Sequence, residues 1–116
     1  MNTIRALVVR PGTDGEVVEI EPTRKVLREL IGGWLEGVSP SSALGWHAYC
    51  DEEGKLKGAE GNLFATMLAH RLGWPRGDRL CGLVVFLGTA PDGEEADVPE
   101  LVLEARDRLI GDLRAL

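Results

Sequence analysis

The apolar and polar positions alternate with period two at the start of the chain. Residues 4–10 (IRALVVR) read as one strand and residues 17–21 (VVEIE) as a second. Between them lies PGTDG, in which Asp14-Gly15 supplies the positive backbone dihedrals of a tight hairpin turn. The period then lengthens. Val26, Leu27, Leu30, Ile31 and Trp34 follow helical spacing behind Pro22-Thr23, with Thr23 as the N-cap and Gly32-Gly33 as the stop. WLEGV alternates again and predicts a short strand, and SPSSALG is a loop by composition.

Residues 46–50 form the next strand candidate, with Trp46, Ala48 and Cys50 on one face and His47 and Tyr49 on the other. DEEG (Asp51, Glu52, Glu53, Gly54) then has the composition of a hairpin tip, and Lys55-Leu56-Lys57 is expected to return as a short strand with its charges in water. Residues 62–72 predict a second helix with Phe64, Ala65, Leu68, Ala69 and Leu72 on its apolar side. GWPRGDR is a loop. Residues 80–87 (LCGLVVFL) are apolar on both faces, which predicts a central strand covered on both sides. TAPDGEEADVPE reads as a solvated acidic loop, in which Asp97 and Glu100 have capping-box spacing. A last helix over residues 98–115 carries a stripe of Val98, Val102, Ala105, Leu109 and Leu113, continued by Leu116; it covers the sheet or meets a partner helix.

These elements imply one α+β domain, with a mixed or antiparallel sheet of about four to five strands and two to three covering helices. A hydrophobic fraction of 44% over 116 residues fits a single soluble core. No apolar run reaches membrane-spanning length, and the first residues do not form a signal peptide, so a cytoplasmic location is expected. The formal charge is -6, and no run of bases stands out, which argues against free nucleic acid as a partner.

Candidate chemistry is sparse. His47, Cys50, His70 and Cys81 are the only soft metal ligands, and His47-x-x-Cys50 within a strand sends its two side chains to opposite faces; no metal or cofactor is expected. Cys50 sits beside three acids, which disfavour a thiolate, and Cys81 lies in the apolar strand. No phosphate-binding, nucleophile-elbow or zinc-protease motif occurs. Asp51, Glu52 and Glu53 are available as carboxylates on a turn. Asn62 reads as the N-cap of the second helix or, alternatively, as a hydrogen-bond positioner beside that turn. Trp34 and Trp46 are expected in the core. Trp74, between Gly73 and Pro75 and close to Arg76, is the tryptophan best placed to be an exposed interface anchor, with core packing as the favoured alternative.

Several stretches together resemble the domain-of-unknown-function 3846 family, small proteins of actinobacteria, their phages and plasmids. They are the opening strand, EIEPTRKVLRELIGGWLEGV, YCDEEGKLKG, Asn62 with its helix, and GDRLCGLVVFLGT. None of them is a catalytic signature. The resemblance implies a mobile-element context, in which small proteins often act as inhibitors or modulators of host proteins.

Two functions are therefore expected. The first is a small acidic binding protein that docks on a host or phage protein, such as a defence enzyme. Its surface would include Asp51, Glu52, Glu53, Trp74, Arg76 and the acidic loop at 92–97. The second is a small enzyme or nucleotide-binding domain near Asn62, Asp51, Glu53 and His70. The balance leans away from an enzyme. Self-association through the last helix is a further expectation.

Overall fold

A computed structural model describes residues 2–75 and 77–116. The order of elements is β1 (Ile4–Val9), β2 (Glu16–Ile20), α1 (Arg24–Ile31), β3 (Leu35–Val38), β4 (Trp46–Asp51), α2 (Leu63–Arg71), β5 (Val84–Thr89), β6 (Glu95–Ala96) and α3 (Glu100–Arg114). The architecture is α+β. The sheet is antiparallel in every pairing and runs β2-β1-β5-β4-β3, with β6 added to the end of β5.

β5 is central because its sequence is apolar in both directions. Val84, Val85, Phe86 and Leu87 are all fully buried. Its side chains alternate between two cores. On one face Val84 and Phe86 join Leu7, Val9, Trp46 and Ala48 beneath α2 and α3. On the other, Val85 and Leu87 join Ala6 and Val8 beneath Leu27 and Ile31 of α1. α1 is short because Gly32 takes a left-handed conformation (φ 85°) and returns its N–H to Arg28. Its C-terminal end lies beside Asp51 at the end of β4, where Gly33 packs against the Asp51 carboxylate.

The β1–β2 pairing, the Thr23 cap on Val26 and the two faces of β4 form as the sequence implies. Five expectations about the elements are corrected. The hairpin does not close in a tight turn at Asp14-Gly15: the last pair is Val8 with Glu16, the Thr13 N–H donates to the Arg10 carbonyl at 3.0 Å, and Asp14 does not take a positive φ, which falls on Gly12 and Gly15. The return strand at Lys55-Leu56-Lys57 does not form; residues 52–58 are successive turns. The central strand begins at Val84, because Cys81 makes an isolated bridge to Gly61 instead. Part of the acidic loop, Glu95–Ala96, is strand β6. Asp97 does not cap α3, which starts at Glu100 behind Pro99 with no side-chain cap. The Asp97 carboxylate instead accepts from the main-chain N–H of Arg5 at 2.8 Å and pairs with its guanidinium at 3.6 Å, which competes successfully with capping. Among the described residues no helix is long and apolar enough to cross a membrane.

Candidate functional site

The largest cavity among the described residues lies at the His47 end of β4, the opposite end of that strand from Asp51, beside which α1 terminates. It is a groove of about 850 Å³ between the loop at 39–45 and the turn at 90–93. Pro40, Ala43, Leu44 and Pro91 give its walls an apolar character, and His47, Tyr49, Thr89 and Glu95 supply its polar groups. β4 carries His47 and Tyr49 on the same face, two residues apart. β5 ends at Thr89, and β6 places Glu95 directly opposite Thr89 in the ladder.

The four side chains are bonded in series. The hydroxyl of Thr89 meets His47 Nδ1 in a short contact. His47 Nε2 lies 2.5 Å from Glu95 Oε1. Tyr49 Oη donates to Glu95 Oε2 at 3.0 Å. A carboxylate only accepts, so Nε2 carries the proton. In the neutral imidazole Nδ1 is then the acceptor and Thr89 the donor. The His47 and Tyr49 rings also meet edge-on at 5.2 Å, which limits rotation of both. Burial pushes the Tyr49 hydroxyl up to about 12, helped by its bond to Glu95 and the charge of that carboxylate and opposed by Arg24. Tyr49 is thus a fixed donor, and Glu95 is held at both oxygens. Chemically the arrangement is a hydroxyl, a base facing it, and an acid that orients the base.

The residues singled out from the sequence lie elsewhere. Asp51 ends β4, and its carboxylate is occupied: Oδ1 accepts from the Glu53 N–H at 2.9 Å and Oδ2 from Lys57 at 3.0 Å. Burial tends to raise its pKa, but these two partners outweigh that and hold it below the usual carboxylate value. Lys57 thereby folds back on the turn, and Lys55 pairs with Asp78. Glu52 and Glu53 point to solvent.

Asn62 is 1% exposed and fully bonded. Its oxygen accepts from the Ala65 N–H at 3.1 Å, and its amide donates to the carbonyls of Val9 and Gly82, both at 2.8 Å. The N-cap reading therefore holds, and Asn62 has no donor left for a ligand. Trp74 is 8% exposed and stacks on His70 at 5.1 Å, so it is not an exposed anchor. Arg76 lies outside the described residues.

The exposed tryptophan is Trp34, corrected here from a core position: it is 56% exposed, with the Arg28 guanidinium 3.8 Å above its ring. It falls outside the core because Gly32 ends α1 two residues earlier and breaks the helical register. The sequence did contain a signal, since Gly32-Gly33 precedes Trp34. Arg24, Lys25, Arg28 and Glu29 also line one shallow cleft of about 530 Å³ with Gly32 and Gly33, a net positive patch in which Lys25 and Glu29 stand 4.0 Å apart and which counting charges along the chain averages away.

Cys50 faces the core opposite His47. Its thiol is pushed up to about 12 by burial, and further by the Glu36 carboxylate. Among the described residues no group of three or more His, Cys, Asp and Glu side chains is arranged to hold a metal.

The family model for Domain of unknown function (DUF3846) matches residues 4–110. The chain belongs to this family. The match spans every strand and all but the last turn of α3, so the DUF3846 unit is the whole fold described above, groove included. Comparison with curated proteins and with solved structures finds no significant match to either.

Proposed function

We propose that this DUF3846 chain is a protein-binding module of the cytoplasm, carried by a phage or other mobile element. It docks on a host or phage protein, and a host defence enzyme is one such target. The carrying observation is Trp34 at the head of an open sheet edge. Among the described residues β3 pairs only with β4, so its other edge offers unpaired main-chain groups to an incoming strand. Trp34 immediately precedes β3, and its carbonyl accepts from the Glu52 N–H at 2.9 Å, which sets the 52–58 turn beside it. An exposed tryptophan under an arginine has the residue types that dominate binding energy at interfaces.

The charges support the same reading. Arg24 and Lys25 stand in the first turn of α1, which holds no acid. Cations at the positive end of a helix cost stability. Their placement suits a partner with acidic groups, while Glu52 and Glu53 on the other side of Trp34 set the orientation. The enzyme reading centred on Asn62 loses its support, because that side chain is saturated within the fold.

The test is an affinity capture from host lysate by the tagged protein, read by mass spectrometry and repeated with the purified partner. Trp34→Ala and the pair Glu52→Lys/Glu53→Lys are compared with the unaltered chain. Asp51 is left alone because its carboxylate holds the turn. A partner bound by the parent and lost in Trp34→Ala supports the proposal. A partner retained equally by both variants defeats it.

A further inference from the structure

The groove holds chemistry that docking through the β3 edge does not use. We propose that Thr89 is an activated nucleophile, with His47 as its general base, and that the groove accepts small carboxylic esters. The argument is geometric. Thr89 is the last residue of β5 and is exposed, so its hydroxyl is open to the groove. Its partner nitrogen, His47 Nδ1, is the acceptor because Nε2 is committed to Glu95 at 2.5 Å. Glu95 is itself held by Tyr49 at 3.0 Å, so moving the proton to Nδ1 would set the bare Nε2 lone pair against a fixed carboxylate. Nucleophile, base and orienting acid are the three parts such a site requires.

The step balances within the groove. Thr89 Oγ1 attacks the acyl carbon while its proton passes to Nδ1. The imidazolium so formed lies against the Glu95 carboxylate. The bond from the acyl carbon to the alcohol oxygen breaks, and Nδ1 returns the proton to the departing alcohol. Water, activated by the same nitrogen, then releases the acid and restores Thr89. Main-chain N–H groups of Ser42, Ala43 and Leu44, in the wall of the groove, make no hydrogen bond to any described residue and are the candidates to meet the oxyanion. The apolar wall residues Pro40, Leu44 and Pro91 favour a small uncharged ester over a charged one. Glu95 and Tyr49 are positioning residues, since each acts through His47.

The probe is p-nitrophenyl acetate. The expected result is release of p-nitrophenolate with one acetyl group on the peptide containing Thr89. The rate should fall in acid, since a general base must be unprotonated to take the Thr89 proton. Thr89→Val, isosteric and at an exposed position, should lower the rate about a hundred-fold, the lower end of general-base effects. Thr89→Ser should restore acylation. Glu95→Gln should slow the reaction and move the pH profile, which a purely structural role would not do. Trp34→Ala should leave the reaction unchanged, so failure here is separable from failure of the docking proposal. A rate in Thr89→Val equal to that of the parent, or acetyl found only on lysines, cysteines or His47, would overturn the proposal. Circular dichroism of each variant establishes that it is folded.

Discussion

Asn62→Ala should be among the most damaging single changes in this chain, and Asn62→Asp should be no better. The alanine removes the cap on the Ala65 N–H, a loss of about 1 kcal/mol. It also strips the donors from two carbonyls, Val9 and Gly82, each bonded at 2.8 Å. A buried acceptor left without its partner costs about 1–3 kcal/mol. The total is roughly 3–7 kcal/mol, a large share of the ~5–15 kcal/mol that stabilises a typical domain. The aspartate keeps the cap oxygen and adds a favourable charge at a helix start, worth about 0.3–1 kcal/mol. It also puts an oxygen where the amide donated, facing two carbonyl oxygens in a site almost closed to water. At neutral pH the repulsion and buried charge outweigh the gain, so the stability order is Asn above Ala, with Asp equal to or below Ala. Urea unfolding followed by tryptophan fluorescence measures this. With a slope of about 1.5 kcal/mol per molar, the midpoint should fall by roughly 2–5 M. Asn62→Asp should recover partly in acid, where the protonated carboxyl regains one O–H donor. If Asn62→Asp lies within about 0.5 kcal/mol of the parent, the two amide bonds contribute nothing and the residue is a cap only.

Trp34→Ala should change stability by less than about 0.5 kcal/mol, as surface changes do, while Trp46→Ala should cost about 3–5 kcal/mol, since Trp46 is 2% exposed and donates to the Leu72 carbonyl at 3.0 Å; denaturant curves of the two variants decide it. Gly88→Ala should displace β6, because a Cβ there would lie 2.1 Å from the Asp97 carbonyl oxygen; a lowered melting temperature and loss of hydrogen-exchange protection at Ala96 are expected. Asp51 has a folded pKa below its unfolded value, so its contribution is present at neutral pH and lost as pH falls through the folded value. The stability difference between the parent and Asp51→Asn should therefore shrink in acid, and a difference that is constant with pH would refute the assigned ion pair. Cys50 and Cys81 are both buried and free, and Cys50 titrates near 12, so a disulfide exchange reagent at neutral pH should react with neither until the chain unfolds.

The β1–β2 pairing, the Thr23 and Asn62 caps, the two faces of β4 and the buried character of β5 were legible because each rests on residues close together in the chain. Apolar periodicity reports burial directly, and a cap needs only three residues. The 52–58 turn is not legible in the local pattern. A hairpin tip demands a second strand to pair with, and β4 already has β3 on one side and β5 on the other. No edge of β4 was left for Lys55-Leu56-Lys57, so the two lysines turned to Asp78 and Asp51 instead. Trp34 continues the helical spacing of α1, but Gly32 ends the helix two residues before it.

The groove was invisible for a different reason. His47 and Glu95 are 48 residues apart, and nothing near either one announces the other. What joins them is Gly88. Without a side chain at that position, the chain after β5 can fold back close enough for Ala96 to pair with Gly88 and Glu95 with Thr89. β6 is only two residues long and starts with glutamate, a poor strand former, so no propensity would select it. Its position is secured by longer-range bonds: Asp97 to Arg5, the Val98 N–H to the Arg5 carbonyl at 2.8 Å, and Glu95 itself to His47 and Tyr49. The same carboxylate that orients His47 is therefore one of the ties that hold β6 in place. Loss of Glu95 should loosen the strand, and loss of the strand should release His47 from its tautomer. Gly88→Ala and Glu95→Gln act on one unit from its two ends, so their effects on the groove should fall short of additivity.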